Sequence, residues 1–219
     1  MGILILSILL LFSTPQDQQY NFTSAEKEQL HNGEVVVREE KIEGMPWPKT
    51  TSYTFVEISP LDGLAIFSDF KAQQNYIPRV MESGVKEYKK PWEIYASIKA
   101  EVPWPVNESN YTTGNILEHP NENHYRLIWY FVEAEHFNDT YGYISFHPFK
   151  GKTLMVYNSF VEPMTPFLAK LFQGKVRSEN LEVVKAIRDH LNSFEGKSSD
   201  YLNTRREKVK AALREKEKN

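Results

Sequence analysis

The chain contains no cysteine among its 219 residues, which excludes disulfide bonds, thiol catalysis and thiolate metal sites together. It also lacks an excess of positive charge. The formal net charge is -3, so the composition offers no basic face for nucleic acid phosphates. No apolar run reaches the roughly 20 residues of a membrane-spanning helix. We therefore expect no metal ion, no cofactor and no nucleic acid partner.

Catalytic motifs are missing as well. The six histidines show no H-E-x-x-H spacing, and neither a G-x-S-x-G elbow nor a phosphate-binding loop occurs. One group of residues could bring a carboxylate and an imidazole together as acid and base. It lies around the end of one predicted strand and in the next strand, and consists of Glu133, Glu135, His136 and His147. Charges at strand ends are usually solvated, so we expect no catalytic residue. An enzymatic activity is left open.

The N-terminal residues 3–12 are apolar except for Ser7. This run is too short to span a bilayer but matches the hydrophobic region of a signal peptide. We therefore predict a signal peptide over residues 1–15 and export. Because the chain has no disulfides, a bacterial periplasmic location is expected. Residues 16–33 are predicted to be a polar lead-in, with one short helix capped by Ser24.

Strands dominate the centre of the chain. Two-residue alternation and valine-rich composition predict strands over residues 34–42 and 50–58, joined by a connection that contains Trp47. Gly, Pro or Asn residues bound six further segments, which predict one continuous antiparallel meander. These six segments are residues 80–88, 92–102, 110–119, 125–133, 141–149 and 153–162.

Two short helices are predicted between the second and third strands. Ser59 can cap a helix whose first residue is Pro60, and this helix is expected to reach about Phe70. A second helix, around residues 72–76, ends before Pro78 because the residue that precedes a proline avoids the helical region.

A long amphipathic helix is predicted from Pro166 to about Phe194. Its apolar residues recur at three- and four-residue steps and form one stripe, which must lie against the sheet. Gly174 interrupts this pattern, either as a tolerated defect, which is the preferred interpretation, or as a bend. Residues 195–219 are rich in lysine, arginine and glutamate. They are expected to be a charged, solvated helical tail without a function.

This order of elements resembles the helix-grip fold of the START-like (SRPBCC) superfamily, which includes coenzyme Q-binding and polyketide cyclase-type members. The segments that carry the resemblance are residues 59–70, residues 76–80 and the stretch Val102-Pro103-Trp104-Pro105. Ser109-Asn110 departs from the family pattern, which has Arg-Asp there. The resemblance covers about residues 34–192 and implies one α+β domain over 34–194, with a curved antiparallel sheet wrapped around the C-terminal helix.

The resemblance also implies a cavity that holds a lipid, quinone, sterol or polyketide-like molecule between the sheet and the long helix. Such a cavity needs large apolar walls and a few polar groups. The predicted walls are Phe67, Trp92, Trp104, Trp129, Phe131, Tyr143, Phe146 and Tyr157. The predicted lid residues are Phe167, Leu168, Leu171 and Phe172. The alternative is that these side chains fill the core completely and leave no cavity.

Three functional hypotheses follow. The preferred one is non-enzymatic binding or transport of an apolar small molecule, with transient contact to a membrane during loading. The second is a cyclase- or aromatase-like enzyme that uses the same cavity, with Glu133 or His136 as the base. The third is a protein-interaction role for the loop that presents Trp104. No oligomeric state is predicted, because no coiled-coil heptads or second apolar stripe are evident.

Overall fold

The fold is taken from a computed structural model of the chain, which describes residues 20–102, 104, 106–165, 167, 169 and 174–219. The predicted signal peptide at residues 1–15 lies outside the described residues. So do three of the four predicted lid residues, Leu168, Leu171 and Phe172.

Eight antiparallel strands form one curved sheet in the order β1-β2-β8-β7-β6-β5-β4-β3. The strands are β1 Val36–Glu40, β2 Lys49–Val56, β3 Val80–Lys90, β4 Glu93–Glu101, β5 Glu108–Asn121, β6 His124–Ala134, β7 Phe137–Phe149 and β8 Lys152–Pro163. Each of the last six strands pairs with the next along the chain, so the predicted meander is confirmed. The first hairpin joins the meander through β2, which pairs with β8.

Five helices are described in full: α1 Ser24–His31, α2 Pro60–Phe67, α3 Phe70–Gln73, α4 Val176–Asn192 and α5 Asp200–Glu217. Ser59 caps α2, because its hydroxyl accepts a hydrogen bond from the Asp62 amide at 3.2 Å. Thr23, rather than the predicted Ser24, caps α1 in a reciprocal arrangement with Glu26. The α+β helix-grip architecture is confirmed.

The sheet has two covered faces. The inner face packs against α2, α4 and α5, and its core includes Leu64, Phe146 and Ile187, each fully buried. The outer face carries a smaller cluster that includes Phe22 and Leu30, from α1 and the residue stretch before it. Alternate residues of a strand point to opposite faces, so each strand that is covered on both sides contributes to both clusters.

The long helix predicted from Pro166 does not run unbroken to Phe194. Gly174 has φ +86, whereas helical residues have φ near about −63. Phe167 and Ala169 are helical, but α4 itself begins only at Val176. The preferred interpretation of Gly174 as a tolerated defect is therefore wrong, since a left-handed glycine separates two helical segments.

The C-terminal tail is helical but not solvated along its whole length. Leu202, Val209 and Leu213 of α5 are at most 5% exposed and belong to the inner core. Arg206 forms a doubly hydrogen-bonded ion pair with Asp62 of α2, and this contact raises the pKa of the guanidinium. The few aliphatic residues of this segment recur at seven- and four-residue steps, which is enough for one narrow apolar stripe.

Candidate functional site

A cavity of ≈ 210 Å³ lies between one end of the inner face and the beginning of α4. It is found where β4, β6 and β8 end and where β5 and β7 begin. Its walls are predominantly apolar and include Ala100, Val102, Tyr111, Phe137, Val161 and Val176. The sheet register explains this grouping, because Ala100 pairs with Ser109 on β5 and Val161 pairs with Thr140 on β7.

The connection between β1 and β2 closes one side of this cavity. Trp47 and Pro48 from that connection line it. The indole nitrogen of Trp47 donates a hydrogen bond of 2.9 Å to the carbonyl oxygen of Val161. This bond ties the connection to the last strand and satisfies the one polar atom of the indole, which leaves its apolar surface to the cavity.

Aromatic rings join the cavity to the core. Phe137 makes edge-to-face contacts with Tyr111 and with Phe131, at centroid distances of 5.2 Å and 6.1 Å. Tyr157 contacts Trp129 at 5.4 Å. Burial raises the pKa of Tyr111, and it raises the pKa of Tyr157 to about 12. Both phenols are therefore neutral at physiological pH, and the Tyr111 ring adds an uncharged aromatic surface to the cavity.

Three polar atoms in residues that line the cavity are shielded from water and have no hydrogen-bond partner within the described chain. They are the Ser109 hydroxyl oxygen, His136 Nδ1 and Glu179 Oε1. Glu179 Oε1 lies 3.3 Å from a guanidinium nitrogen of Arg79, an ion-pair distance without hydrogen-bond geometry. All three atoms are enclosed by the surrounding chain rather than exposed to the cavity, whose surface is predominantly apolar.

No known family profile matches the sequence, and no curated protein matches it. Solved structures do match in three dimensions. A STAR-related lipid transfer protein fragment of Xanthomonas axonopodis gives a TM-score of 0.63 at 17% identity, over 72% of this chain and 93% of that chain. Human StAR-related lipid transfer protein 5 gives a TM-score of 0.58 at 8% identity, over 73% of this chain and 83% of that chain. The ZhuI aromatase/cyclase of a Streptomyces species gives a TM-score of 0.56 at 9% identity, over 73% of this chain and 96% of that chain. This chain has the START-like helix-grip fold.

Two kinds of feature are absent from the described residues, 20–102, 104, 106–165, 167, 169 and 174–219. No helix among those residues is long and apolar enough to cross a bilayer. Nor do the described histidine, aspartate and glutamate side chains form a group of three that could hold a metal ion.

Four of the predicted wall residues instead fill the inner core of the START-like fold. Phe67, Trp92, Trp129 and Phe146 are at most 9% exposed. The ring of Phe146 is so close to Gly63 that a Cβ there would lie 2.6 Å from it, and Trp129 covers Gly142 in a similar way. The sheet and α2 are therefore tightly packed where Phe146 meets Gly63.

The remaining described candidates lie elsewhere. Tyr143 packs against the outer cluster, because it is three residues from Phe146 on the same strand and so points to the opposite face. Phe131 contacts the cavity-lining ring of Phe137, and Tyr157 packs against the inner core beside Trp129. Trp104 and Phe167 are 78% and 57% exposed. Within the described chain, the cavity wall includes none of the nine predicted residues.

The four residues of the predicted acid–base group do not share one site, although His136 acts electrostatically on the neighbouring Glu135. Glu133 hydrogen-bonds with Lys86 and Thr112, and the contact with Lys86 lowers its pKa. Glu135 accepts hydrogen bonds from Asn110. These two glutamates lie in an open polar groove lined by β3 to β6, whereas His136 lines the cavity. His147 is near the far end of β7, next to His124.

The residues that sequence analysis missed share a property. Trp47, Tyr111, Phe137 and Glu179 line the cavity but stand in a connection, beside a strand end or at the beginning of a helix. The two-residue period does place Ser109 and Tyr111 on one face of β5. Nothing in the sequence indicates that this end of the face, rather than the other, is open.

Proposed function

We propose that this protein binds an apolar small molecule in the cavity between the inner face and α4. The observation that carries the proposal is a predominantly apolar space of ≈ 210 Å³ between the sheet and the beginning of α4. An engineered apolar cavity of about 150 Å³ is large enough to bind benzene. This cavity therefore has room for a ring or a short alkyl group.

The energetics support reversible binding. Transfer of about 200 Å² of apolar ligand surface out of water contributes roughly 5 kcal/mol before the costs of association are subtracted. The START-like neighbours add support, since their names identify lipid transfer proteins and an aromatase/cyclase. We propose a lipid, quinone, sterol or polyketide-like ligand, with its ring or chain end in the cavity.

The test is to fill the cavity. Ala100 lines it from β4, so Ala100→Phe should displace any molecule that co-purifies with the wild type. The matched control is Ala211→Phe on the exposed side of α5. Solvent extracts of all three proteins are compared by mass spectrometry, and binding of an added apolar dye is measured by fluorescence. Equal dye binding by the wild type and Ala100→Phe would contradict the proposal.

Ligand exchange at a membrane surface is a second part of the proposal. Trp104, Met164 and Phe167 are 78%, 44% and 57% exposed, in the connections that follow β4 and β8. Both connections begin at residues that line the cavity, Val102 and Pro163. Exposed aromatic and apolar side chains at the mouth of a cavity suit contact with a lipid surface.

Co-sedimentation with phosphatidylcholine vesicles tests membrane contact. Trp104→Ser and Phe167→Ser should each reduce the bound fraction. Tyr88→Ser is the control, because Tyr88 is 63% exposed on the edge strand β3, away from the cavity. A wild-type protein that stays in the supernatant at every vesicle concentration would contradict the proposal.

We also retain export to a bacterial periplasm as a proposal, based on the apolar run over residues 3–12. The intact mass of protein purified from a periplasmic fraction should correspond to the chain without about its first 15 residues. A full-length mass, or recovery from the cytoplasm only, would contradict this proposal.

A cyclase- or aromatase-like activity is the second candidate function, favoured by one observation. His136 is an imidazole that lines the cavity, and an imidazole is a suitable general base. The variant His136→Ala separates the candidates. A carrier would still bind its ligand, whereas an enzyme would bind its substrate but lose turnover.

A further inference from the structure

We propose that residues 20–31 form an acid-released strap on the outer face of the sheet, and that protonation of the neighbouring rings of His124 and His147 opens it. The strap consists of residues 20–23 and helix α1. It covers the outer cluster, on the opposite side of the sheet from the ligand cavity, so the inference is independent of the proposed function. A fall in pH would make this apolar cluster accessible.

The enclosure of His147 is the first argument. His147 is 1% exposed, and neither of its ring nitrogens has a hydrogen-bond partner within the described chain. Its ring stacks on Tyr20 of the strap at a centroid distance of 5.3 Å. A protonated imidazole has two N–H donors, and a buried charge without partners is costly. His147 therefore binds a proton readily only when the strap opens and water reaches the ring.

The charged groups that act on this pair of imidazoles are cations. The rings of His124 and His147 lie 5.0 Å apart, and His124 Nε2 is also enclosed without a hydrogen-bond partner in the described chain. Arg126, on the same strand as His124, acts electrostatically on it. Phenols also surround this site, and burial raises their pKa, so they are neutral below pH 8. They are Tyr20 on the strap, Tyr53 on β2 and Tyr143 on β7.

Side-chain contacts hold the strap, which pairs with no strand of the described chain. Arg38 of β1 donates hydrogen bonds of 2.9 Å to the carbonyl oxygen of Tyr20 and 2.8 Å to the carboxylate of Glu26, so the charge of Glu26 is already paired. Phe22 packs edge-to-face on Tyr53 at 5.1 Å. Because these contacts lie outside the strand ladder, the strap can open while the eight-stranded sheet stays intact.

The direction of the pH effect follows from the closed form. Burial and, to a smaller extent, His124 lower the pKa of His147 from 6.5 to about 4. The closed strap therefore favours the neutral ring, whereas the ring under an open strap binds a proton below about pH 6.5. The closed form is fully favoured above that pH and becomes less favoured as the pH falls towards 4. Between pH 8 and pH 5 the open population should increase by about tenfold or more.

Hydrogen exchange of the full chain, measured by mass spectrometry at pH 8 and pH 5, tests the inference. Each rate is divided by the rate of an unstructured peptide at the same pH. The corrected exchange of the strap should increase at least about tenfold at pH 5, and α2 in the inner core should stay at least about tenfold better protected than the strap.

Substitutions show which residue causes the opening. His147→Phe keeps a ring against Tyr20 but cannot be protonated, so the increase should shrink to within about threefold. His147→Gln is a second neutral replacement, in case the first variant does not fold. His31→Gln is the matched control, because His31 is an exposed residue of the strap itself, and this variant should keep the full increase. Thermal melts at pH 8 confirm that each variant is folded.

Each contrary outcome overturns a definite part of the inference. Strap exchange in the wild type that is equal at both pH values would show that the strap is not released by acid. Equal protection of the strap and α2 at pH 5 would show that the whole domain opens and that the strap is not a separate unit. A full increase in the folded His147 variants, or its loss in His31→Gln, would overturn the assignment to His147.

Discussion

The two ends of the interface between the sheet and its helices are built differently. At one end, which we call the closed end, the ring of Phe146 lies so close to Gly63 that no space remains for a Cβ atom there. At the other, the open end, the inner face carries the small residues Ala100 and Ser109 beside a cavity. Both ends show the same antiparallel strand pairing and the same alternation of inward and outward side chains. The size of the side chains at facing positions decides whether this fold packs solidly or holds a ligand.

The largest expected effect is a difference between the two ends in how much a lost ring lowers the free energy of unfolding. Phe146→Ala should lower the free energy of unfolding by about 3–5 kcal/mol, because it removes a fully buried ring and leaves a cavity. Phe137→Ala at the open end should cost about 1–2 kcal/mol, since this half-buried ring already borders empty space. Denaturant unfolding measures both. Equal losses would show that the open end is as tightly packed as the closed end.

A fall in pH should destabilise the outer face behind the closed end, on the opposite side of the sheet from Phe146. His147 is 1% exposed, stacks on Tyr20 and lies 5.0 Å from His124. Burial and, to a smaller extent, the nearby His124 together lower its pKa from 6.5 to about 4. The folded state therefore favours the neutral imidazole, whereas the unfolded chain binds a proton below about pH 6.5.

The stability that this neutral histidine contributes is complete above about pH 6.5 and decreases by about 3 kcal/mol as the pH falls towards 4. Urea unfolding between pH 4 and 8 measures the loss. The other charged or titratable groups near this site include Tyr20, His124, whose pKa burial also lowers, and Arg126, which acts on His124. In His147→Phe the slope should be clearly smaller. An unchanged slope would show that other groups cause the pH dependence.

The smallest expected effect concerns the break before α4. Gly174 has φ +86 and open space around its α-carbon. Gly174→Ala should therefore destabilise the protein by about 1 kcal/mol, because alanine resists this conformation. In a continuous helix the same change would stabilise by about 1 kcal/mol. The sign of the change in melting temperature decides between a break and an unbroken lid.

Much of the fold was predictable because its signals are local. Alternation over β2 and over the last strands, and the Ser59-Pro60 start of α2, depend on neighbouring residues only. The break at Gly174 was misjudged since the apolar stripe continues on both sides of it. The packing of α5 against the core was not predicted, because three aliphatic residues, Leu202, Val209 and Leu213, form too narrow a stripe to indicate an interface.

The amino-acid sequence by itself determined the order of the elements, their inward faces and the resemblance to a START-like protein. Tertiary structure alone decided where the cavity lies and which residues line it. Trp47 and Glu179 both line it although they are 132 positions apart, and Phe146 fills the core instead. Periodicity shows which side of a strand is buried. Whether that side meets a ring, a glycine or an empty space depends on how distant elements are placed against one another.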